Sequence, residues 1–259
     1  MKFQRLRAQL RGVSGDGPQV LYVPGIDGTG DLLLGSAERI AKQFRLTRVS
    51  YCTEDCESSG GSDYSDLAEG IQALCQEQGI SRTLVLAESF GGAVALQLAL
   101  NHPELVAGLM IVNSFAWFPS RAQIAITRLG APFIPQAAFE MGRKWFAPKA
   151  LFGSLGTPEA LQEFCEIGGV VFDAGYLQRL HMIEELDLRP RLREIEAPVA
   201  LFASDRDRVV PAVETMGVLE SSLPDATLEI VQGGGHLILP LATQPWVQRL
   251  EDLAKRASF

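Results

Sequence analysis

Leu86-Ala87-Glu88-Ser89-Phe90-Gly91-Gly92 decides how this chain is read. The run Thr83 to Ala87 reads as a strand and Gly91 to Leu100 as a helix, so one serine stands where a strand turns directly into a helix. A turn that tight forces the serine backbone into a strained conformation, and small neighbours such as Ala87 and Gly91 leave room for the two elements to approach. The Ser89 hydroxyl then projects above the sheet, as a nucleophile requires. The competing reading is a serine that merely caps a helix N-terminus ahead of Gly-Gly.

Strand and helix patterns alternate on both sides of this turn. Gln19 to Val23 is a short buried strand closed by Pro24-Gly25, followed by a helix over about 33–43 and a strand from Arg45 to Tyr51. Ser62-Asp63 offers caps for a helix whose buried face is Leu67, Ile71 and Leu74. The helix after Ser89 stops at Asn101-His102-Pro103, and Gly108 to Val112 is the next strand. Beyond Asn113 the rhythm breaks: to about Arg193 there are helical patterns and turn residues but no clear strand. It resumes with strands at Val199–Ala203 and Thr227–Val231 and helices over about 213–221 and 244–256. The expectation is an α/β core from 1–113 and 194–259, with a mostly parallel sheet covered by helices on both faces, interrupted by a helical cap over 114–193.

Composition narrows the function classes. The chain has 259 residues, 47% hydrophobic and 21% charged, with a mean hydropathy of +0.11, the values of a well-filled globular domain. Its net charge of −8 argues against a nucleic-acid protein, because a polyphosphate backbone needs a basic face. No run approaches the roughly 18 apolar residues of a transmembrane segment. Met1 to Arg7 lacks the apolar stretch of a secretory signal, so the expected location is the cytoplasm. Cys52, Cys56, Cys75 and Cys165 form no C-x-x-C pair, and with three histidines in the chain a metal cluster has few ligands, so no metal is expected.

A serine hydroxyl is a weak nucleophile at neutral pH and needs a base and a group that orients it. His102 follows a helix end and His181 lies among apolar residues of the insertion; both read as structural. His236 follows Gly233-Gly234-Gly235 on a loop just after a strand, where an imidazole can reach the carboxyl edge of the sheet. The acid is sought between serine and histidine on another strand-end loop, Ser204 to Pro211. That loop holds Asp207, preferred because Val209-Val210-Pro211 begins the next segment, and Asp205, which then reads as a turn residue paired with Arg206 or Arg208. An oxyanion needs two backbone donors. Phe90 N–H, next after the nucleophile, is one; Ile26 N–H, on the glycine-rich loop Pro24 to Gly30, is the other, unless that loop is an ordinary turn. The loop lacks the lysine of a phosphate loop and the G-x-G-x-x-G spacing of a dinucleotide site, so no cofactor is implied.

Taken in order, Ser89, Asp207 and His236, with the D-x-V-V-P segment and the G-G-G-H loop, resemble the α/β-hydrolase superfamily across essentially the whole chain. The resemblance implies an eight-stranded, mostly parallel sheet with the helical cap inserted after the sixth strand. Two departures are Ala87 at the first elbow glycine and Pro24-Gly25 where His-Gly is usual, and the second bears on Ile26 as a donor. Residues 24–30 and 88–92 are similar to the hydrolase portion of plastid phytyl ester synthases and related bacterial acyltransferases, and this narrower likeness implies acyl transfer as an alternative. A serine at the elbow argues against haloalkane dehalogenase or epoxide hydrolase activity, which use aspartate.

The insertion speaks to substrate. Residues 115–146 are rich in large apolar side chains, among them Trp117, Phe118, Phe139 and Trp145, which read either as the lining of a hydrophobic acyl pocket or as the cap's own packing. Arg121, Arg128, Arg143, Lys144 and Lys149 face only Glu140 between 114 and 150. That basic bias is a solvated face, or an attractor for an anionic substrate, an acidic acyl-carrier partner or an anionic lipid surface. The leading expectation is a serine esterase acting on a small-molecule or lipid ester; acyl transfer to an alcohol, thioester cleavage on a carrier, and a non-catalytic binding protein of the same fold are the alternatives.

Overall fold

In the computed structural model, residues 5–54, 62–130, 133, 141, 147–167 and 174–259 are described. Strand alternation builds the sheet. In β2 (Gln19–Val23) and β4 (Thr83–Glu88), Leu21, Val23, Val85 and Ala87 enter one core layer while Val20, Tyr22, Leu84 and Leu86 enter the other. β5 (Val106–Val112) and β6 (Val199–Ser204) divide their side chains the same way, and all residues of β4, β5 and β6 are buried. Such continuously apolar strands suit a parallel sheet covered on both faces.

Together with β1 (Arg5–Ser14), β3 (Arg45–Glu54) and β7 (Ala226–Val231), they form a seven-stranded sheet in the order β1-β3-β2-β4-β5-β6-β7. Every pairing is parallel except β1 with β3. The α/β-hydrolase class is therefore as expected, with a corrected count. Among the described residues the sheet has seven strands, not eight, and the insertion follows the fifth strand, not the sixth. β1 itself carries no strand signal in the reading above. At an edge, only Leu6 and Ala8 of its ten residues are buried, while Arg5 and Arg7 alternate outward, a pattern that resembles a polar terminus.

The helices are α1 (Gly35–Ala41), α2 (Tyr64–Glu77), α3 (Phe90–Asn101), α8 (Ala212–Ser222) and α9 (Trp246–Arg256) around the sheet, with α4 (Arg121–Gly130), α5 (Ala147–Phe152), α6 (Pro158–Glu166) and α7 (Ala174–Glu185) between β5 and β6. The cap signals of α2 act as a capping box: Asp63 accepts the Asp66 N–H and Asp66 accepts the Asp63 N–H. No described helix is long and apolar enough to cross a membrane.

Register places the site. Val23 pairs with Ala87, Glu88 with Val112, and Val112 with Phe202, so the loops leaving β2, β4, β5 and β6 emerge at one sheet edge. After β2 the chain moves outward to β3, then returns to the other side of β2 as β4. That reversal opens a crevice beyond the carboxyl ends of β2 and β4, the usual ligand position in an open α/β sheet.

Candidate active site

Ser89 sits between β4 and α3 with φ +52° and ψ −127°, a conformation that non-glycine residues rarely adopt. It occupies the cap position of α3, yet its side chain makes no capping bond. Crowding explains the local sequence: a Cβ on Gly91 would lie 2.3 Å from the Pro24 carbonyl oxygen, and one on Gly92 would lie 2.2 Å from Ser114 Oγ. The Ser89 N–H donates to the Val112 carbonyl at 2.9 Å, and the Ser89 carbonyl accepts from Ser114 Oγ at 2.6 Å and from the Gly92 N–H at 3.0 Å.

Asp207, not Asp205, meets His236. His236 Nδ1 and Asp207 Oδ2 are 2.7 Å apart, with the aspartate side chain fully buried. Asp207 Oδ1 accepts from the Val209 and Val210 N–H groups at 2.8 and 3.0 Å, which fixes the carboxylate plane. Asp205 accepts the Gly233 N–H at 2.6 Å instead, so this aspartate braces the histidine loop, where the sequence suggested an arginine partner. Burial pushes the His236 pKa down, but the charge and hydrogen bond of Asp207 and the charge of Glu88 outweigh it and leave it raised above 6.5.

Asn113 and Ser114, at the end of β5, are site residues that the motif reading missed. Asn113 has φ +46° and is fully buried. Its Nδ2 donates to Ser204 Oγ, the Gly235 carbonyl and the His236 carbonyl at 3.0, 3.1 and 2.8 Å, and its Oδ1 accepts the Ser204 N–H at 2.7 Å. The next residue holds the Ser89 carbonyl, so one dipeptide ties the serine turn to the histidine loop and to the end of β6. The signal was present as two small polar residues closing an otherwise apolar strand.

Glu88 was also passed over. It is almost wholly buried, accepts from the Tyr22 hydroxyl through Oε1, and has no partner for Oε2 among the described residues. Burial raises its pKa to about 7, against the lowering influence of Tyr22.

Loop 24–30 lies beside Ser89: a Cβ on Gly25 would stand 3.5 Å from that of Ser89. Gly28 N–H donates to the Gly25 carbonyl at 3.1 Å, and Asp27 Oδ2 accepts the Thr29 N–H at 2.9 Å. Phe90 opens α3, where an N–H has no acceptor within the helix, and its ring packs 5.0 Å from Tyr64 and 5.9 Å from Tyr51. His102 bonds Glu69 at 3.0 Å, and His181 stands 3.9 Å from Glu184. Trp117 lies under Arg189 at 4.9 Å and lines an outer groove beside α4 that includes none of Ser89, Asp207 or His236. Phe118 packs edge-on to Phe115 at 5.4 Å in the core layer that holds Phe90. Phe139 and Trp145 lie outside the described residues.

A model of the alpha/beta hydrolase family matches residues 10–248. The chain belongs to this family. Among its curated relatives, the "putative carbamate hydrolase RutD" of Cronobacter sakazakii is 26% identical over 243 residues, covering 88% of this chain and 87% of the relative. The protein of the same name from Caulobacter sp. strain K31 is 27% identical over 237 residues, covering 87% and 86%. Among solved structures, a thermophilic esterase from Thermogutta terrifontis superposes with a TM-score of 0.79 at 18% identity, covering 98% of this chain and 94% of that one. The enol-lactonase of Burkholderia xenovorans LB400 gives 0.78 at 15%, covering 96% of each. These structural likenesses concern the fold. Family membership makes the chain an alpha/beta hydrolase, and the two curated relatives carry the name putative carbamate hydrolase.

Proposed function

We propose that this protein is a serine hydrolase that cleaves carboxylic esters through an acyl-enzyme on Ser89. The observation that carries the reading is the 2.7 Å contact between His236 Nδ1 and Asp207, on loops that leave the same sheet edge as the strained Ser89 turn. With its Nδ1–H donated in a hydrogen bond to Asp207, neutral His236 keeps a lone pair on Nε2 and serves as the base that takes the Ser89 proton. Ser89 Oγ attacks the ester carbonyl, and the N–H groups of Ile26 and Phe90 receive the oxyanion. Protonated His236 then gives its proton to the leaving alcohol; water, activated by the same imidazole, releases the acid.

In this reading residues 114–193 are a cap over the site. An apolar acyl pocket beneath this cap belongs to the proposal, without Trp117, which lines an outer groove, and without Phe118, which packs in the core. Of the cap's basic residues, Arg128 bonds Glu184 at 3.1 Å and Arg121 bonds the Leu186 carbonyl at 3.0 Å, so these two give little support to an acidic acyl-carrier partner; Arg143 and Lys144 lie outside the described residues.

Hydrolysis of p-nitrophenyl esters from two-carbon to sixteen-carbon acyl chains, in wild type and Ser89→Ala, tests the proposal. Turnover that peaks at one chain length and vanishes in the variant is expected. A folded wild type that turns over none of them overturns it. The names of the curated relatives favour a second reading, in which the scissile bond belongs to a carbamate. Continued turnover of p-nitrophenyl carbamate beyond one equivalent marks that activity; a single burst marks an ester hydrolase that carbamate merely blocks. Acyl transfer would appear as product ester in preference to free acid when an alcohol is present.

A further inference from the structure

Arg179 belongs to α7, in the insertion, and is 4% exposed. A buried guanidinium is costly unless its donors are satisfied. Its Nε donates to the Ile26 carbonyl at 2.7 Å, across 153 positions of sequence. The approach is close: a Cβ on Gly28, where φ is +71°, would lie 3.3 Å from both Cζ and Nη1 of Arg179. Tyr51 and Tyr176 also lie within the electrostatic reach of this arginine, and of Asp27 in the same loop.

Two peptide planes meet at Ile26. The plane before it is set within the loop, because the Gly25 carbonyl accepts the Gly28 N–H at 3.1 Å. A trans peptide is planar, so the Ile26 N–H must point opposite to that carbonyl, out of the turn. The plane after it is set from outside the loop, by Arg179 on the Ile26 carbonyl. From the sheet side, Tyr51 holds different atoms: its N–H donates to the Gly28 carbonyl at 2.7 Å and its hydroxyl to the Pro24 carbonyl at 3.3 Å. The sheet therefore anchors the loop's flanks, while the insertion anchors Ile26, the residue whose N–H the proposed function assigns to the oxyanion. A charge-assisted bond is roughly twice as strong as a neutral one, which suits a single anchor on one peptide group.

We propose that Arg179 is a positioning residue for the Ile26 N–H, so that the oxyanion loop is in catalytic order only while helix α7 of the insertion is seated on it. The inference rests on the ester-hydrolase reading above. Without Arg179 the Ile26 carbonyl loses its charged tether, the turn over 25–28 is free to shift as a unit relative to Ser89, the donor it carries moves with it, and the transition state suffers more than the bound ester.

The test compares wild type, Arg179→Met and Arg179→Lys on the p-nitrophenyl ester that wild type prefers, with n-butylboronic acid as a probe that forms a tetrahedral adduct on serine. Misaiming one donor is expected to lower kcat by about 10²-fold in Arg179→Met and to weaken the boronic acid by a similar factor, with little change in KM. Arg179→Lys, which keeps a charged donor, recovers most of both. A purely structural arginine would lower the melting temperature without this split between kcat and KM. Folded Arg179→Met with wild-type kcat, or a loss confined to KM, overturns the inference; if the methionine variant does not fold, Arg179→Gln is read by the same criteria. Wild type that neither turns over ester nor binds the boronic acid removes the underlying reading and this inference with it, whereas active wild type beside equally active variants removes this inference alone.

Discussion

The side-chain amide of Asn113 lies 2.8 Å from the carbonyl oxygen of His236, 123 positions further along the chain. This contact makes the end of a central strand the reference point for the histidine loop. Because β5 stands between β4 and β6, the two residues just past its end can hold the serine turn through Ser114 and the histidine loop through Asn113.

Asn113→Ala should therefore act on both stability and turnover. It leaves the Ser204 N–H and two buried carbonyls without this partner, and each unsatisfied buried group costs roughly 1–3 kcal/mol. Thermal unfolding should show a melting temperature lower by several degrees. The kcat of the folded fraction should fall as well, since the His236 backbone loses its tether; unchanged kcat would assign Asn113 to stability alone.

Asp207→Asn and Asp205→Asn separate the two aspartates. The first keeps the shape but removes the charge that holds the His236 tautomer and stabilises its protonated form, and ester turnover should drop by about 10⁴-fold. The second weakens a 2.6 Å bond to the Gly233 N–H and should alter turnover far less while lowering stability by about 1 kcal/mol. Equal losses in the two variants would contradict the assignment of the acid.

If neutral His236 is the base, as proposed, it sets the acid limb of the pH profile. Its pKa is raised, so kcat/KM should climb with pH through a midpoint above 6.5. Glu88 is one of the negative charges that raise it. Glu88→Gln should therefore shift that midpoint to lower pH; a shift in the opposite direction would show that the carboxylate acts through structure and not charge.

The same carboxyl imprints a stability slope. Folded Glu88 keeps its proton to about pH 7, whereas the unfolded chain releases it near the ordinary value of 4.5. Between those values the unfolded state binds fewer protons, so stability falls as pH rises and levels off above 7. The contribution reaches up to about 3 kcal/mol. Denaturant titrations at pH 4.5 and pH 7 should show a smaller difference for Glu88→Gln than for wild type.

Gly92→Ala probes the tight turn. The added Cβ would fall 2.2 Å from Ser114 Oγ, so the hydroxyl that holds the Ser89 carbonyl must move. Overpacking of this kind costs about 1–3 kcal/mol, and both unfolding free energy and kcat should register it. A variant as stable and active as wild type would mean that Ser114 can turn away at no cost.

The α/β class, the serine turn and the strand-end loops that carry His236 and Asp207 are legible in the residue order alone. These features are local: strand periodicity, the steric demand for small residues around Ser89, and loops that follow strands are all written along the chain. Only the tertiary structure decided which aspartate turns toward His236, that Asn113 ties the loops together, that Glu88 is buried beside Tyr22, and that Arg179 reaches Ile26. Those contacts span up to 153 positions and depend on strand register and on how the insertion folds back over the sheet. Edge strand β1 belongs with them, because two buried residues among exposed arginines acquire meaning only when β3 supplies the partner backbone.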